Sequence, residues 1–228
     1  MKNKIFIFVL FIGIFIFNSC SKDEPENEGL PYYQFSIDEI NKLINKPNVA
    51  DEIIYKNQDN ELIKFKVYSS EKGKTTYKTG SFAGGYSNAH FHYDRQQIKM
   101  WYAEGYLLSN CEINIQKYPV GSNYQISPIV VGIPKFYGYF NFPLWNGYYG
   151  TDIYNNNISI DFLQPTVTIS FNGKTYTKVR IFESNRTEIL SPTNTLPFYP
   201  RNVHKIFYDD NFGIIGFDDL NGKLWRLQ

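Results

Sequence analysis

The sequence predicts a mostly β fold: an antiparallel meander that forms a barrel, half-barrel or sandwich, with one short N-terminal helix. Aromatic residues make up 18% of the chain, led by 19 Tyr and 19 Phe, and such side chains suit the pleated surface of a sheet. From Glu52 onward, apolar residues recur at every second position in several segments. That period places them on one face of a strand and leaves the other face to solvent.

The predicted helix follows Ser36. Glu39 stands three residues after Ser36, and this pair has the pattern of a capping box. Pro47 ends the helical pattern. Four apolar residues at helical spacing predict a stripe that faces the core: Ile37, Ile40, Leu43 and Ile44.

Strands are clearest where apolar and polar residues alternate, as in segments 63–67, 167–171 and 179–181. Asn172-Gly173 and Asn221-Gly222 are strong signals for two-residue hairpin turns. The pattern gives roughly nine or ten strands, most of them joined locally. No unit of about 20–50 residues repeats, so the sequence does not indicate a propeller or a solenoid.

The N-terminus has the layout of a secretory signal, because two lysines precede the apolar run Ile5–Phe17. This run of about 13 residues is too short for a bilayer-spanning helix, which needs about 20. The segment Phe17-Asn18-Ser19-Cys20 resembles the lipobox of bacterial lipoproteins. The resemblance implies cleavage after Ser19 and acylation of Cys20, which would anchor the protein to a membrane through its acyl chains.

The residues after Cys20 extend this resemblance. Lys22, Asp23 and Glu24, a lysine followed by two acids, are similar to the surface-export signal of Bacteroidetes-type lipoproteins. The likeness implies an outer-membrane protein that faces the extracellular side. Removal of the signal leaves 21 basic residues against 22 acidic residues. This balance gives no basic field for nucleic acid, so we expect no nucleic-acid partner.

The predicted organisation has three parts. Residues 1–19 are the lipoprotein signal peptide, 20–31 are the acylated cysteine with a flexible tether, and 32–228 are a single β-rich domain. The segment from Phe207 to Trp225 resembles the closing hairpins of small β-rich Bacteroidetes lipoproteins. That resemblance implies a fold but transfers no site.

Segment 136–150 is the predicted binding segment. Aromatic residues fill eight of its fifteen positions, interleaved with Gly, Asn and Pro. Exposed Tyr and Trp rings suit protein partners or the apolar faces of sugar rings. The alternative is a loop whose rings cap the open end of the sheet. The residues predicted to bind a glycan or another envelope protein are Tyr137, Tyr139, Trp145, Tyr148 and Tyr149.

His90, His92 and Asp94 are the main candidates for a metal site, since alternate residues of a strand share a face. Their spacing is similar to the His-x-His-x-Asp-His motif of metallo-β-lactamase-like hydrolases, but Arg95 stands where that motif has His. Same-face neighbours also stand nearly 7 Å apart. We therefore interpret them as a solvated strand face. No catalytic residue, metal site or cofactor is assigned.

The leading hypothesis is a non-catalytic binding or accessory domain on the cell surface. One alternative is a carrier of a lipid or apolar ligand in a curved half-barrel, which a hydrophobic cavity would favour. Another is a hydrolase with an acidic pair that the sequence does not reveal, which two carboxylates in a cleft would favour. Cys111 lies on the apolar phase of a strand and is expected to be a buried, inert side chain.

Overall fold

The computed structural model of the protein describes residues 29–45, 47–79, 88–102, 110–120, 133–147, 157–189 and 201–228. Over these residues the chain is mostly β, and one large sheet curls into a half-barrel. The predicted fold class is confirmed.

Twelve strands and one helical turn make up the described part of the chain, which is more than the nine or ten strands predicted. The helix is α1 (Ile37–Ile40). The strands are β1 (Tyr32–Tyr33), β2 (Glu52–Lys56), β3 (Leu62–Thr79), β4 (Asn88–Tyr102), β5 (Asn110–Val120), β6 (Ile133–Asn141), β7 (Asn157–Ile160), β8 (Val167–Phe171), β9 (Lys174–Glu183), β10 (Val203–Asp209), β11 (Gly213–Asp219) and β12 (Leu224–Leu227).

The sheet is a meander with one break. Its order is β7-β6-β5-β4-β3-β2-β12-β11-β10-β9-β8, so β7 and β8 are consecutive in the chain but lie at opposite edges. Every pairing along this path is antiparallel. Because the path contains an odd number of alternating strands, β7 and β8 run in the same direction and cannot form a hairpin. We call the gap between them the seam.

The sheet curls until distant strands touch across its concave side. Phe140 of β6 stacks on Tyr208 of β10, with ring centroids 5.6 Å apart, and meets Phe182 of β9 edge-on. The main apolar core fills this concave side, and Leu43 and Ile44 enter it from the N-terminal segment. A second, smaller cluster lies on the opposite face of β9–β11.

The capping box at Ser36 is confirmed, because Glu39 N donates to Ser36 Oγ and Ser36 N donates to the Glu39 carboxylate. The predicted apolar stripe is only half right. Ile37 and Ile40 are 79% and 45% exposed, whereas Leu43 and Ile44 are buried. Since α1 is a single turn, the chain leaves helical geometry before Leu43 and carries that residue into the core on irregular backbone.

The two predicted Asn-Gly turns differ. Asn172 and Gly173 form a two-residue loop with φ of 51° and 78°, which fits the type I′ hairpin that requires two positive φ values. The turn at Asn221-Gly222 lies in a four-residue loop between β11 and β12 instead. There the carboxylate of Asp219 accepts the backbone N–H groups of Asn221 and Lys223, at 2.9 and 3.0 Å, and stabilises the longer loop.

The N-terminal strand β1 joins the sheet in the N-terminal half of β4. It pairs in parallel with β4 through Tyr32 opposite His92 and Tyr33 opposite Tyr93. The Asp94 carboxylate holds it there, because it accepts the Tyr32 hydroxyl at 2.6 Å and the Phe35 N–H at 2.8 Å. Among the described residues, no helix has the length and hydropathy needed to cross a membrane.

Candidate ligand-binding face

The convex side of β3–β6 carries polar and aromatic side chains, and we call this side the outer face. Side chains alternate between the two sides of β4. Ile98 and Met100 enter the core, so the residues between and beside them point outward. Residues opposite them on β3, β5 and β6 share this side. The outer face includes Tyr68, Gln97, Lys99, Trp101, Glu112, Asn114, Gln116, Tyr137 and Tyr139.

Tyr68 and Trp101 form an aromatic platform at one end of this face. Their rings are stacked, with centroids 5.1 Å apart and planes 18° from parallel, and Trp101 is 38% exposed. A register shift between Val67 and Ser69 marks a bulge at this point of β3, and bulges re-aim side chains. Partial burial, with a smaller effect from the charge of Glu112, raises the pKa of Tyr68, so its hydroxyl stays a neutral donor.

A hydrogen-bond network lies beside the platform. Glu112 Oε1 accepts Nε2 of Gln97 at 2.8 Å and also accepts Nδ2 of Asn114, while Gln97 Nε2 lies 3.1 Å from Asn114 Oδ1. Gln97 and Asn114 are only 8% and 1% exposed, although they face outward. Neighbouring side chains therefore hold these amides in fixed orientations before any ligand arrives.

Two of the predicted binding residues lie next to this network. Tyr137 and Tyr139 of β6 are half-buried and sit opposite Gln116 and Asn114, respectively. The Tyr137 hydroxyl accepts Nε2 of Gln116. The structure thus places both tyrosines on the outer face, and their role in binding stays a prediction.

The predicted binding residue Trp145 lies elsewhere. It is 6% exposed and belongs to the main core. Its segment is fastened to β10, because Val203 N donates to Leu144 O at 3.0 Å and Asn146 N donates to Val203 O at 2.8 Å. This placement agrees with the alternative that rings of the segment cap the sheet. Tyr148 and Tyr149 lie outside the described residues, as do Cys20, Lys22, Asp23 and Glu24.

The possible metal face has structural contacts instead. Asp94 fastens β1, and His92 Nδ1 lies 2.8 Å from Thr76 Oγ1. Within the described ranges, no three His, Cys, Asp or Glu side chains are grouped as metal ligands. Cys111 is fully buried, as predicted. Burial, together with the charge of Glu112, raises the pKa of its thiol, which leaves it protonated and a poor nucleophile.

The two alternative functions find little support in the described part of the chain. Side chains fill the concave core that a lipid carrier would need to keep open. The buried carboxylates of Asp209, Asp210 and Asp219 accept hydrogen bonds from backbone N–H groups or from Arg180. Each therefore has a structural role, and no pair of them forms an evident acid–base site.

No protein-family model, curated protein or solved structure matches the chain. The site itself is therefore the basis for a functional proposal. The sequence patterns did not indicate the platform of Tyr68 and Trp101 or the amide network beside it. A signal was present, because Trp101 falls on the polar phase of β4, two residues after Lys99. A Trp on the solvent phase of a strand indicates a contact surface better than one inside an apolar run.

Proposed function

We propose that this protein is a surface-exposed outer-membrane lipoprotein whose β-rich domain binds an extracellular glycan on the outer face. The proposal rests on one observation: the exposed stack of Tyr68 and Trp101 lies beside the network of Gln97, Glu112 and Asn114. The signal-like N-terminus and Cys20 support the proposed location.

The chemistry of the outer face suits a sugar. A sugar ring has an apolar C–H face and hydroxyls at its edge, so it can lie on an aromatic ring while its hydroxyls bond to fixed polar groups. The platform supplies the aromatic surface, and the half-buried carboxylate of Glu112, held in place by Gln97 and Asn114, supplies acceptors. Because the sheet is broad, several sugar units can contact it between Trp101 and the tyrosines of β6.

The membrane attachment and the binding face fit one arrangement. Acyl chains on Cys20 would hold the protein at the bilayer, and Lys22, Asp23 and Glu24 would direct export to the outside. The outer face would then meet glycans or other envelope components. Of these two kinds of partner, the aromatic and amide chemistry favours the glycan.

A glycan array followed by titration calorimetry tests the proposal. We expect at least one array oligosaccharide to bind, and Trp101→Ala to weaken that binding about tenfold, which equals about 1.4 kcal/mol. Phe212→Ala is the matched control, since Phe212 is a 45% exposed aromatic residue on the turn between β10 and β11. It should leave the affinity unchanged.

Three outcomes contradict the proposal. The array shows no binding, or Trp101→Ala binds as tightly as the wild type, or the two variants lose affinity equally. Binding of a purified envelope protein, lost in Trp101→Ala while all glycans fail, would make the outer face a protein-docking surface instead.

A further inference from the structure

A cleft opens at the end of the half-barrel that is farthest from β1. It lies where β4 and β11 end and where β3, β10 and β12 begin. Its volume is about 200 Å³, and Ile63, Leu144 and Phe217 provide apolar lining. An apolar cavity of about 150 Å³ binds benzene. The cleft therefore has room for one six-membered ring with a few substituents.

Asn202 is the polar side chain of this cleft that is best placed to bind a ligand. It lines the cleft and is only 8% exposed. Within the described ranges, its side-chain amide makes no hydrogen bond. Its amide atoms are not among the fully buried ones without a partner, so they keep contact with solvent and a ligand in the cleft can reach them. A ligand hydroxyl can both donate to its carbonyl oxygen and accept from its NH₂ group, which an apolar ligand cannot do.

At the rim of the cleft, Asp219 holds the indole ring of Trp225 in place. Asp219, 7% exposed, accepts two backbone N–H groups at Oδ1 and the Trp225 indole N–H at 3.4 Å through Oδ2. Trp225 also stacks on Phe217, with ring centroids 5.9 Å apart. These contacts hold the indole in one orientation beside the apolar lining. A rigid aromatic wall next to a polar rim suits a ring that is apolar on one face and hydroxylated at its edge.

The charges at the rim select against anions. Lys223 lines the cleft, but its ammonium group is paired with the carboxylate of Glu61. Asp219 adds a second carboxylate. Two negative charges against one positive charge disfavour an acidic sugar, because its carboxylate would lie close to Asp219. A neutral ring meets no such repulsion.

We infer that this cleft is a second ligand site, which takes a single neutral hexose ring and is independent of the outer face. Its lining residues come from β3, β10, β11, β12, the last residue of β4 and the segments beside these strands. None of them belongs to the platform or its network. The site thus goes beyond the proposed glycan face and can exist without it.

Saturation-transfer NMR and calorimetry with methyl hexopyranosides test this inference, and methyl hexuronides serve as the acidic comparison. We expect neutral hexosides to bind and uronides to bind at least tenfold more weakly. Asn202→Leu should reduce hexoside affinity at least tenfold, because it removes the amide that pairs with the ligand. Asn45→Leu is the control, since Asn45 is exposed and lies outside the cleft. It should bind like the wild type.

Two further variants distinguish a loss of binding from a loss of folding and show which of the two sites binds the hexoside. Where Asn202→Leu lowers the melting temperature too far, Asn202→Asp keeps the shape of the side chain but removes its donors, and it should still weaken hexoside binding. Trp101→Ala should leave hexoside binding intact. The inference fails when no hexoside binds, when uronides bind as tightly as hexosides, when the Asn202 variants match the wild type, or when Trp101→Ala abolishes binding. The last result would move the hexoside to the outer face and support only the proposed function.

Discussion

Arg180 and Asp210 form a buried, two-pronged ion pair next to the seam. Nε lies 3.0 Å from Oδ1 and Nη2 lies 3.1 Å from Oδ2, and each side chain is 3% exposed. The remaining guanidinium N–H groups donate to the backbone carbonyls of Asp161, Phe162 and Gln164 in the connection from β7 to β8. All five donors of Arg180 are thus used, and one side chain fastens the break in the meander.

Asp210→Ala should destabilise the protein by about 3–5 kcal/mol, because it leaves the Arg180 charge buried without its partner. The midpoint of urea unfolding measures the loss. Glu183→Ala is the comparison: it breaks a solvent-exposed pair with Lys205 on the neighbouring strands, and such pairs contribute about 0–1 kcal/mol. Equal losses in the two variants would show that removing Asp210 does not leave a costly unpaired charge on Arg180.

Trp145→Ala should also be strongly destabilising, by about 3–5 kcal/mol, because it empties a buried aromatic position. Trp101→Ala should change stability little, since that ring is partly solvated. A thermal melt of the two variants measures the difference. A Trp145→Ala protein that melts close to the wild type would show that Trp145 does not stabilise the core and would restore it as a candidate binding residue.

Gly147→Ala should destabilise the fold through Trp145. A Cβ at position 147 would overlap the Trp145 indole, which cannot move aside because it is packed in the core. The same substitution made in the Trp145→Ala background should have a much smaller effect, since the obstructing ring is gone. A double-mutant cycle from urea unfolding measures this coupling. Additive losses would exclude the contact.

Tyr32 should make stability depend on alkaline pH. Its hydrogen bond to Asp94, with burial and the charge of Asp94 as smaller causes, raises its pKa to about 12 from 10.0. Because the folded state favours the neutral phenol, this contribution is complete below the unfolded pKa of about 10 and disappears as the pH rises through about 12. The stability difference between wild type and Tyr32→Phe should shrink over that window. In an Asp94→Asn background this stability difference should not shrink. If it did, groups other than the Tyr32–Asp94 pair would cause the pH dependence.

Cys20 should be acylated. Metabolic labelling with a clickable palmitate should mark the wild type and leave Cys20→Ala unmarked, because the lipobox-like segment supplies only that thiol. Replacing Lys22, Asp23 and Glu24 with Ala should preserve labelling but protect the domain from protease added to intact cells. Labelling of Cys20→Ala at wild-type level would contradict the lipoprotein proposal.

Local patterns predicted the fold class and several turns. The alternation in β8 and β9 and the pair Asn172-Gly173 are properties of adjacent residues, so the sequence reveals them directly. The lengths of β3 and β4 were harder to predict. Segment 69–79 contains Ser, Lys, Thr and Gly with no apolar alternation, and pairing with β4 keeps it extended.

The candidate site was predicted only in part for a related reason. Tyr137 and Tyr139 stand out in an aromatic run. The burial of Trp145, in contrast, depends on Val203, a residue distant in the chain. The partner of Trp101 depends on a bulge in β3 that no local residue preference indicates. Contacts between segments that are distant in the chain determine the burial of Trp145 and the stacking of Trp101. Local patterns in a single sequence do not predict such contacts.

The attachment of β1 to the N-terminal half of β4 also sets the distance along the sheet between the start of the domain and the cleft. From Tyr93, beside β1, to Tyr102, at the cleft, β4 advances nine residues, or about 30 Å at 3.4 Å per residue. A free chain of the length proposed for the tether, 20–31, would span about 19 Å on average. Were Cys20 acylated as proposed and the two spans aligned along the membrane normal, the cleft would stand about 50 Å above the lipid. Changes in tether length would alter this height, while the pairing of β1 with β4 would keep the cleft at the far end of the domain.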